Sequence, residues 1–419
     1  MRKIWCVAFA GLMSLSCRGK GESAPAPSGA ASGAPAPGSA SPAKAGECLT
    51  ALDYLVPPQK YGERDLIRAL LVDGDQLFFR DMHDLMRVPL AGGKVVTVGK
   101  APALSLRGTT ELWQSGADLL MQSPGEPIFM KANKNGGAWS TFIDLTAAKK
   151  GGGRDAATRL LQGLGKQAPP AASGADFDGT AFYYAEVSSG KGRTATASSA
   201  LKSEPLAGGE PRMLYQSPGE ISEVTRAGDE LVFHLTLPPS DAQLKEQEAQ
   251  RKAHKFALGV SGEQWIMAVP LAGGQARKLM RLGSIFSGGL VGTSTILGAD
   301  GNRVYVSGYA NEDLAKPGTF RLDANTGASE ELDQRYVRGH AYVSGAEVVI
   351  IGSGSLEPRK AQHGELVLTV PRQGKSTKLV ACLSDKSTLH ASAVAGGAAL
   401  LSLFQTETNL ASIARVPIR

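Results

Sequence analysis

The five-residue sequence Pro-Leu-Ala-Gly-Gly occurs three times in this 419-residue chain, at 89–93, 205–209 and 270–274. Consecutive glycines supply the positive φ angles that tight turns need, and the preceding proline limits further strand pairing. Each copy lies between apolar or mixed stretches, as in LMRVPL-AGG-KVVTV. The repeat therefore predicts a strand, a turn and a second strand at each copy.

Related turns extend this pattern along most of the chain. Together with degenerate copies, this first set of turns is centred on Pro89, Ala132, Pro205, Pro270, Asp323, Pro371 and Pro417. In a second set, a glycine precedes a β-rich run, and these glycines are Gly74, Gly116, Gly179, Gly228, Gly301, Gly345 and Gly396. The two sets alternate strictly, so a four-stranded meander recurs about every fifty residues. Such repeats must stack to bury their faces, which predicts an all-β fold, a β-propeller of four-stranded blades.

The motifs also carry a family resemblance. The hairpin DGTAFYY (178–184) and the strand end RVPLAGG (87–93) resemble the blades of YWTD and TolB-like β-propellers, over roughly residues 66–419. Seven alternations favour seven blades, with six and eight left open. The last unit ends at Arg419 directly after its third strand, which would leave an open sheet edge. We expect the segment 48–58 to supply the missing outer strand and to close the propeller.

The N-terminus predicts export. Arg2 and Lys3 precede an apolar segment that is too short to span a bilayer, so residues 1–16 are read as a signal peptide. Cys17 stands where the apolar segment stops and resembles the acylated cysteine of bacterial lipoproteins, although the leucine usual three residues earlier is replaced by Ser14. The alternative is ordinary cleavage nearby and a soluble exported product. By the same resemblance, Arg18 favours the outer membrane, facing the periplasm or the cell surface.

The rest of the chain divides into a tether and one folded domain. Residues 17–46 are almost entirely Ala, Pro, Gly and Ser after the first few positions, so they cannot bury a core. Residues 47–419 are assigned to the β-propeller. Cys48 and Cys382 are its only cysteines, and in an exported chain we expect a disulfide, with two buried free thiols as the alternative. The expected position of Cys382, far along a neighbouring outer strand, is unfavourable for this bond.

Composition and motifs argue against several function classes. The formal net charge of +6 is spread over the whole chain with no dense basic stripe, so nucleic acid is not an expected partner. The chain has no G-x-S-x-G, H-E-x-x-H, phosphate-loop or C-x-x-C motif, and its six histidines lack the spacing of metal ligands. We therefore predict no catalytic residue, metal or cofactor, and expect a monomer.

Two long insertions mark a candidate binding surface. They are 147–174, between the second and third blades, and 240–258, which predicts a polar helix inside the fourth blade. In a meander, these connectors all lie at the strand ends opposite the glycine turns. The predicted binding-face residues in these loops and in 188–200 are Lys149, Lys150, Arg154, Arg159, Lys191, Arg193, Lys245, Arg251 and His254. The alternative is neutral drift in tolerant loops.

These features favour a binding or scaffold module over an enzyme. The predicted function is a lipid-anchored cell-envelope β-propeller that binds a protein, peptide or glycan and contacts the membrane through its anchor. One alternative is a propeller enzyme, a hydrolase or lyase acting on glycans with a site at the channel mouth. Another is a purely structural envelope component without a specific ligand.

Overall fold

The described part of the chain is almost entirely β-structure. The computed structural model describes residues 48, 52–60, 67, 69–81, 83–101, 112–115, 117–122, 128–144, 181–188, 198–205, 210, 212–254, 262–282, 295–309, 317–356, 363–383 and 387–418. These residues form 27 strands and a helix. In this part of the chain, no helix is both long enough and apolar enough to cross a membrane. The signal peptide, the tether, Cys17 and the insertion 147–174 lie outside the described residues.

The strands follow the predicted meander in chain order. The chain enters through β1 (Asp53–Gln59). Sheet 1 then contains β2 (Ala69–Asp73), β3 (Gln76–Arg80), β4 (Asp84–Pro89) and β5 (Val96–Lys100). Sheet 2 contains β6 (Leu112–Ser115), β7 (Asp118–Gln122), β8 (Ile128–Asn133) and β9 (Ser140–Asp144). Sheet 3 has three described strands, β10 (Ala181–Ser188), β11 (Ser198–Pro205) and β12 (Arg212–Ser217).

The remaining sheets repeat the same order. Sheet 4 contains β13 (Glu220–Ala227), β14 (Glu230–Thr236), β15 (Gln264–Pro270) and β16 (Arg277–Leu282), with helix α1 (Asp241–His254) between its second and third strands. Sheet 5 contains β17 (Thr295–Asp300), β18 (Arg303–Tyr309), β19 (Pro317–Asp323) and β20 (Ser329–Asp333). Sheet 6 contains β21 (Val337–Ser344), β22 (Glu347–Ser355), β23 (His363–Pro371) and β24 (Lys378–Leu383). Sheet 7 contains β25 (Ser387–Ala395), β26 (Ala398–Gln405) and β27 (Leu410–Pro417).

The fourth strand of sheet 7 comes from the other end of the chain. Strand β1 pairs antiparallel with β27, with Asp53 opposite Arg415 and Gln59 opposite Ala411. A disulfide between Cys48 and Cys382 lies beside this pairing, with the two Cα atoms 4.5 Å apart. Cys382 belongs to β24, so the bond links the segment leading into β1 to the fourth strand of sheet 6.

The middle strands bury both faces because a sheet packs on each side. In β3, Phe78 packs in a cluster with sheet 2, whereas the next residue, Phe79, packs in a cluster with sheet 7. Other clusters of buried apolar residues join sheets 3 and 4, 4 and 5, 5 and 6, and 6 and 7. Short, continuous apolar runs such as LVF in β14 are the sequence signature of such strands.

The turns between the first and second strands use glycine as predicted. Gly301 has a φ of +55° and Gly345 a φ of +60°, a region that favours glycine because it has no Cβ atom. These short turns all lie at one end of the strands, together with the turns between the third and fourth strands. We call this the turn end. The connectors between the second and third strands, including α1, lie at the other end, which we call the connector end.

A β-bulge recurs at the same place in every sheet. The pairing of the third and fourth strands skips one residue of the fourth strand, and the skipped residues are Val98, Phe142, Leu214, Leu279, Leu332 and Val380. In sheet 7 the skipped residue is Leu55 of β1. All are apolar, and Leu214 and Leu332 are buried in clusters shared with the next sheet. Because a bulge re-aims a side chain, the outer strands of sheets 3 and 5 each contribute an extra apolar group to the next sheet.

Candidate functional site

One position in the repeat determines how each sheet meets its neighbour at the turn end. It is the residue that follows the third strand, which is leucine in the Pro-Leu-Ala-Gly-Gly copies. Leu90 packs against the cluster of sheets 7 and 1, and Leu271 against that of sheets 3 and 4. Ala324 is fully buried between sheets 4 and 5. The same position holds charged residues in two sheets, Lys134 in sheet 2 and Arg372 in sheet 6.

Both charged residues pair with an aspartate that ends the first strand of the preceding sheet. Arg372 donates from Nε to Asp300 Oδ2 and from Nη2 to Asp300 Oδ1, each at 2.6 Å. Lys134 Nζ lies 2.5 Å from Asp73 Oδ2. At the matching strand end, Ala395 stands where the next sheet has Leu90. At these sheet boundaries, the two facing positions are therefore either both charged or both apolar.

The backbone of the same residue is also a recurring acceptor. Arginine side chains of the preceding sheet donate to its carbonyl oxygen, from Arg415 to Leu90, Arg212 to Leu271, Arg277 to Ala324 and Arg303 to Arg372. The distances lie between 2.5 and 3.0 Å. Hydrogen bonds from a charged donor are stronger than neutral ones. The repeated turn thus provides a fixed carbonyl to which the preceding sheet attaches.

A groove opens where the charged version of this contact joins sheets 5 and 6. The part next to Asp300, which we call the inner part, has a volume of about 730 Å³. The part next to Glu330 on the fourth strand of sheet 5, which we call the outer part, has a volume of about 350 Å³. Both parts are lined by Arg303, Asp323, Arg372 and Gln373. Pockets of several hundred cubic ångströms are of the size that holds small ligands. The groove lies at the turn end, between short turns of two packed sheets.

One wall of the groove is fixed by Arg321. Its Nη1 donates to the carbonyl oxygens of Pro371 and Arg372 at 3.1 and 3.0 Å, and its Nη2 donates to Gly374 and to Glu330. Lys375 lies 3.4 Å from the other oxygen of Glu330. Arg321 therefore holds the turn of sheet 6 and has little capacity left for a ligand.

The carboxylates of the groove are also largely occupied. Asp323 Oδ1 accepts hydrogen bonds from the backbone of Asn325 and Thr326 and from the Thr326 hydroxyl, at 2.8 to 3.0 Å. The Thr326 backbone bond leads the interactions that hold the pKa of Asp323 below its usual value, against burial. Asp323 is therefore ionised at neutral pH, and its Oδ2 accepts no hydrogen bond from a described residue.

Two arginines keep hydrogen-bond donors that no described residue uses. Arg303 donates only through Nη1, to the Arg372 carbonyl oxygen, which leaves its Nε and Nη2. Arg372 donates through Nε and Nη2 to Asp300, which leaves its Nη1. Both side chains line the inner and the outer part of the groove. Most of the groove's hydrogen-bonding groups that no described residue uses are therefore N–H donors of positively charged side chains.

Tyr305 lies fully buried next to these charges. Burial raises the pKa of its hydroxyl and Asp300 raises it further, while Arg321 and Arg303 oppose the shift. The apolar surroundings of Tyr305 are shared by sheets 5 and 6. Electrostatic interactions are stronger in such a setting than in water.

Few of the sequence-predicted binding residues are described. Lys149, Lys150, Arg154, Arg159, Lys191 and Arg193 lie outside the described residues. Lys245 is exposed on α1, and Arg251 and His254 belong to the same helix. The Ser240 hydroxyl accepts a hydrogen bond from the Gln243 backbone at 3.3 Å, and Gln243 Oε1 accepts one from the Ser240 backbone at 2.8 Å, which forms a capping box at the start of α1.

The groove and the helix lie at opposite ends of the strands. The sequence prediction placed the binding surface at the connector end and did not single out Asp300, Arg303 or Arg372. A signal was nevertheless present, because Arg372 replaces the leucine of the repeat next to a retained proline. Among the described residues, no group of three or more His, Cys, Asp and Glu side chains is arranged to hold a metal ion.

The sheet order and the comparisons define the class of the protein. Antiparallel four-stranded sheets, packed face to face in chain order, are the blades of a β-propeller. An oligogalacturonate lyase in complex with manganese superposes with a TM-score of 0.51 at 12% identity, over 88% of this chain and 94% of that chain. An oligogalacturonate lyase from Vibrio parahaemolyticus gives 0.52 at 12% identity, over 87% and 92%.

A third solved structure is less similar to this chain. The β-propeller domain of the Trilobed protease from Pyrococcus furiosus has a TM-score of 0.46 at 10% identity, over 84% of this chain and 96% of that one. No family model and no curated protein matches the sequence. The order of the described strands therefore assigns the chain to the β-propellers, and similarity at this level of identity extends to the fold alone.

Proposed function

We propose that this β-propeller is an exported, membrane-anchored binding module that holds a partner in the groove between sheets 5 and 6. The observation that carries the proposal is the set of unused arginine donors on Arg303 and Arg372, both fixed by contacts with their own protein. Ligand sites often consist of a few fixed polar groups on a rigid framework. A partner protein, peptide or glycan is the expected occupant.

Anchoring follows from the N-terminal sequence. A basic residue pair, an apolar segment and Cys17, followed by the Ala/Pro-rich residues of 17–46, support acylation and a spacer from the membrane. Two acyl chains anchor stably where one does not. We expect the wild-type chain in the outer-membrane fraction and the Cys17→Ser chain in a soluble fraction, and mass spectrometry of the N-terminal peptide would detect the lipid. An unmodified Cys17 would contradict the anchor.

The finer architecture is part of the proposal. Seven blades, closed by β1 as the fourth strand of the last blade, are supported by the seven described sheets and by the pairing of β1 with β27. The bulge at Leu55 matches the bulge of every other fourth strand. A contact between sheets 2 and 3 would complete the circle, and the apolar clusters in the described part of the chain do not include one. Electron microscopy of the purified protein would count the blades.

Partner capture tests the binding function. The full-length chain would be cross-linked in cells and its partners identified by mass spectrometry. Parallel chains would lack either 147–174 or 240–258, or carry Asp300→Ala with Arg372→Leu. We expect the paired substitution to abolish capture. Loss of partners only after the loop deletions would instead favour the connector end and the predicted residues there.

An enzyme acting on glycans is the alternative function. Two of the similar solved structures, with TM-scores of 0.51 and 0.52, are oligogalacturonate lyases, which gives this alternative a specific test. The purified chain would be incubated with acidic oligosaccharides, with and without added manganese. Product formation that survives in the Asp300→Ala, Arg372→Leu chain would indicate a reaction elsewhere in the propeller and count against a pure binding module.

A further inference from the structure

We propose that the groove between sheets 5 and 6 recognises carboxylate groups of an acidic, extended peptide segment, through Arg303 and Arg372. This inference rests on the proposed binding function and specifies the chemistry of its ligand. Arginine suits this role because its planar guanidinium matches the geometry of a carboxylate.

The position of the two side chains is set before any ligand arrives. Asp300, which is 7% exposed, holds Arg372 by two parallel hydrogen bonds of 2.6 Å. The carbonyl oxygen of Arg372 holds the Nη1 atom of Arg303 at 2.5 Å. Ordering a flexible side chain is a cost of binding that such pre-existing contacts reduce. The two arginines also line both parts of the groove, so one segment passing through it would meet both.

The remaining hydrogen-bonding groups complement a peptide. Unused N–H groups on Arg303 and Arg372 would donate hydrogen bonds to a carboxylate of the peptide. Asp323 Oδ2 accepts no hydrogen bond from a described residue, so it would accept one from a backbone N–H group of the peptide. Gln373, also in the lining, can donate and accept. No aromatic ring is among the described residues that line the groove, and stacking on such rings is a common way to hold sugars. These observations favour a peptide over a glycan.

The repeat itself shows that the charges are not needed to join two sheets. Where sheets 7 and 1 meet, the matching positions hold Ala395 and Leu90, and Leu90 packs into the apolar cluster there. An ion pair with a buried member is often no more stable than the apolar residues it replaces. Apolar residues can therefore join two sheets at this position, yet the two sheets at the groove are joined by a charged pair.

The test compares two peptides on the full-length chain in detergent. The probes are fluorescein-labelled Gly-Glu-Gly-Glu-Gly amide and its counterpart with glutamine at both glutamate positions. The main variant carries Asp300→Ala with Arg372→Leu, which copies the Ala395 and Leu90 pair. A second variant, Arg303→Gln, leaves the ion pair intact. The control is Arg212→Leu, which removes a similar arginine-to-carbonyl contact between sheets 3 and 4.

We expect fluorescence polarisation at low salt to show at least tenfold tighter binding of the glutamate peptide than of the glutamine peptide. The paired substitution and Arg303→Gln should each abolish this preference, and Arg212→Leu should leave it unchanged. If circular dichroism shows that the paired variant is not folded, the result for Arg303→Gln alone tests the inference. Equal affinity for both peptides, a preference retained in Arg303→Gln, or tighter binding of a glucuronate oligosaccharide would overturn the inference. If the protein captures its partner through another surface, this inference fails but the proposed binding function does not.

Discussion

Arg372 and Asp300 join two neighbouring sheets by a side-on ion pair in which both carboxylate oxygens lie 2.6 Å from a guanidinium nitrogen. The two partners differ in exposure, because 42% of the Arg372 side chain is accessible but only 7% of Asp300. The aspartate has therefore lost most of its hydration and depends on the arginine, whereas the arginine keeps part of its own. This asymmetry makes the two single substitutions unequal.

We predict that Arg372→Leu destabilises the protein more than Asp300→Ala does. The first substitution leaves a buried carboxylate without its partner, at a cost of about 3 kcal/mol. The second leaves a partly hydrated arginine, at a cost of about 1 kcal/mol or less. Because the double substitution removes both charges, it should be more stable than Arg372→Leu alone. Urea unfolding of all four chains would measure these free energies, and equal costs for the two single variants would contradict the argument.

Asp73 predicts a pH-dependent contribution to stability. Its hydrogen bond with Lys134 lowers its pKa below the reference value of 3.8, burial opposes the shift, and Gln114 adds to it. A depressed pKa stabilises the folded state above 3.8, and the contribution is lost as the pH falls through the folded value. We expect Asp73→Asn to cost about 1 kcal/mol or less at neutral pH, and progressively less as the pH falls below about 4 and through the folded pKa. Unfolding measured across this pH range tests this; a constant difference would exclude it.

For Glu365, we predict a contribution to stability with the opposite pH dependence. Burial raises the pKa of its carboxyl above the reference value of 4.5, and the hydrogen bond from the Leu389 backbone only partly opposes this. The folded protein then loses stability relative to Glu365→Gln as the pH rises from 4.5 through the folded value. We expect the variant to be more stable by about 1 kcal/mol at pH 8 and to show no advantage at pH 4. Thermal midpoints of both chains across this range provide the measurement, and an advantage independent of pH would refute the ionisation argument.

The recurring bulge predicts a sharp contrast between two adjacent residues of β12. Leu214 is skipped by the strand pairing and is 4% exposed, whereas Met213 is 55% exposed. Replacing the buried leucine with alanine should cost about 2–4 kcal/mol because it leaves a cavity between sheets 3 and 4. Met213→Ala should change stability by less than about 0.5 kcal/mol. Denaturant midpoints distinguish the two, and similar losses would show that the bulge does not direct packing.

The disulfide predicts a local effect on β1. Replacing both Cys48 and Cys382 with serine should loosen the pairing of β1 with β27, since the bond holds the segment that leads into β1. We expect hydrogen exchange to increase most in β1 and in its partner β27, with little change in β14. Exchange followed by mass spectrometry would locate the change. A uniform increase over all sheets would instead indicate that the bond stabilises the whole domain.

The sequence predicted the repeating meander because its turns depend on local chemistry. A glycine with positive φ, such as Gly301, and the proline that ends a third strand leave marks that can be read without a structure. The bulge residues were also within reach, because Leu279 and Val380 each follow the last residue of their third strand by nine positions. That spacing becomes meaningful only once the strand pairing is known.

The groove was harder to foresee because it depends on residues far apart in the chain. Asp300 and Arg372 are 72 positions apart, and nothing in the sequence pairs the two positions. Long insertions directed attention to the connector end, where Lys245 is exposed on a solvated helix. The better guide was a departure from the repeat, the arginine that replaces leucine after Pro371. Within a repeat, such departures mark positions where packing alone does not choose the residue.

The bond between Cys48 and Cys382 determines how a pull on the N-terminus would reach the domain. A load transmitted along the preceding residues meets the sulfur bridge to β24 before it meets the hydrogen bonds that hold β1 to β27. The disulfide therefore bears the load, and the hydrogen bonds between β1 and β27 are not broken one after another. Strand β1 can then remain in place while the chain ahead of it is under tension.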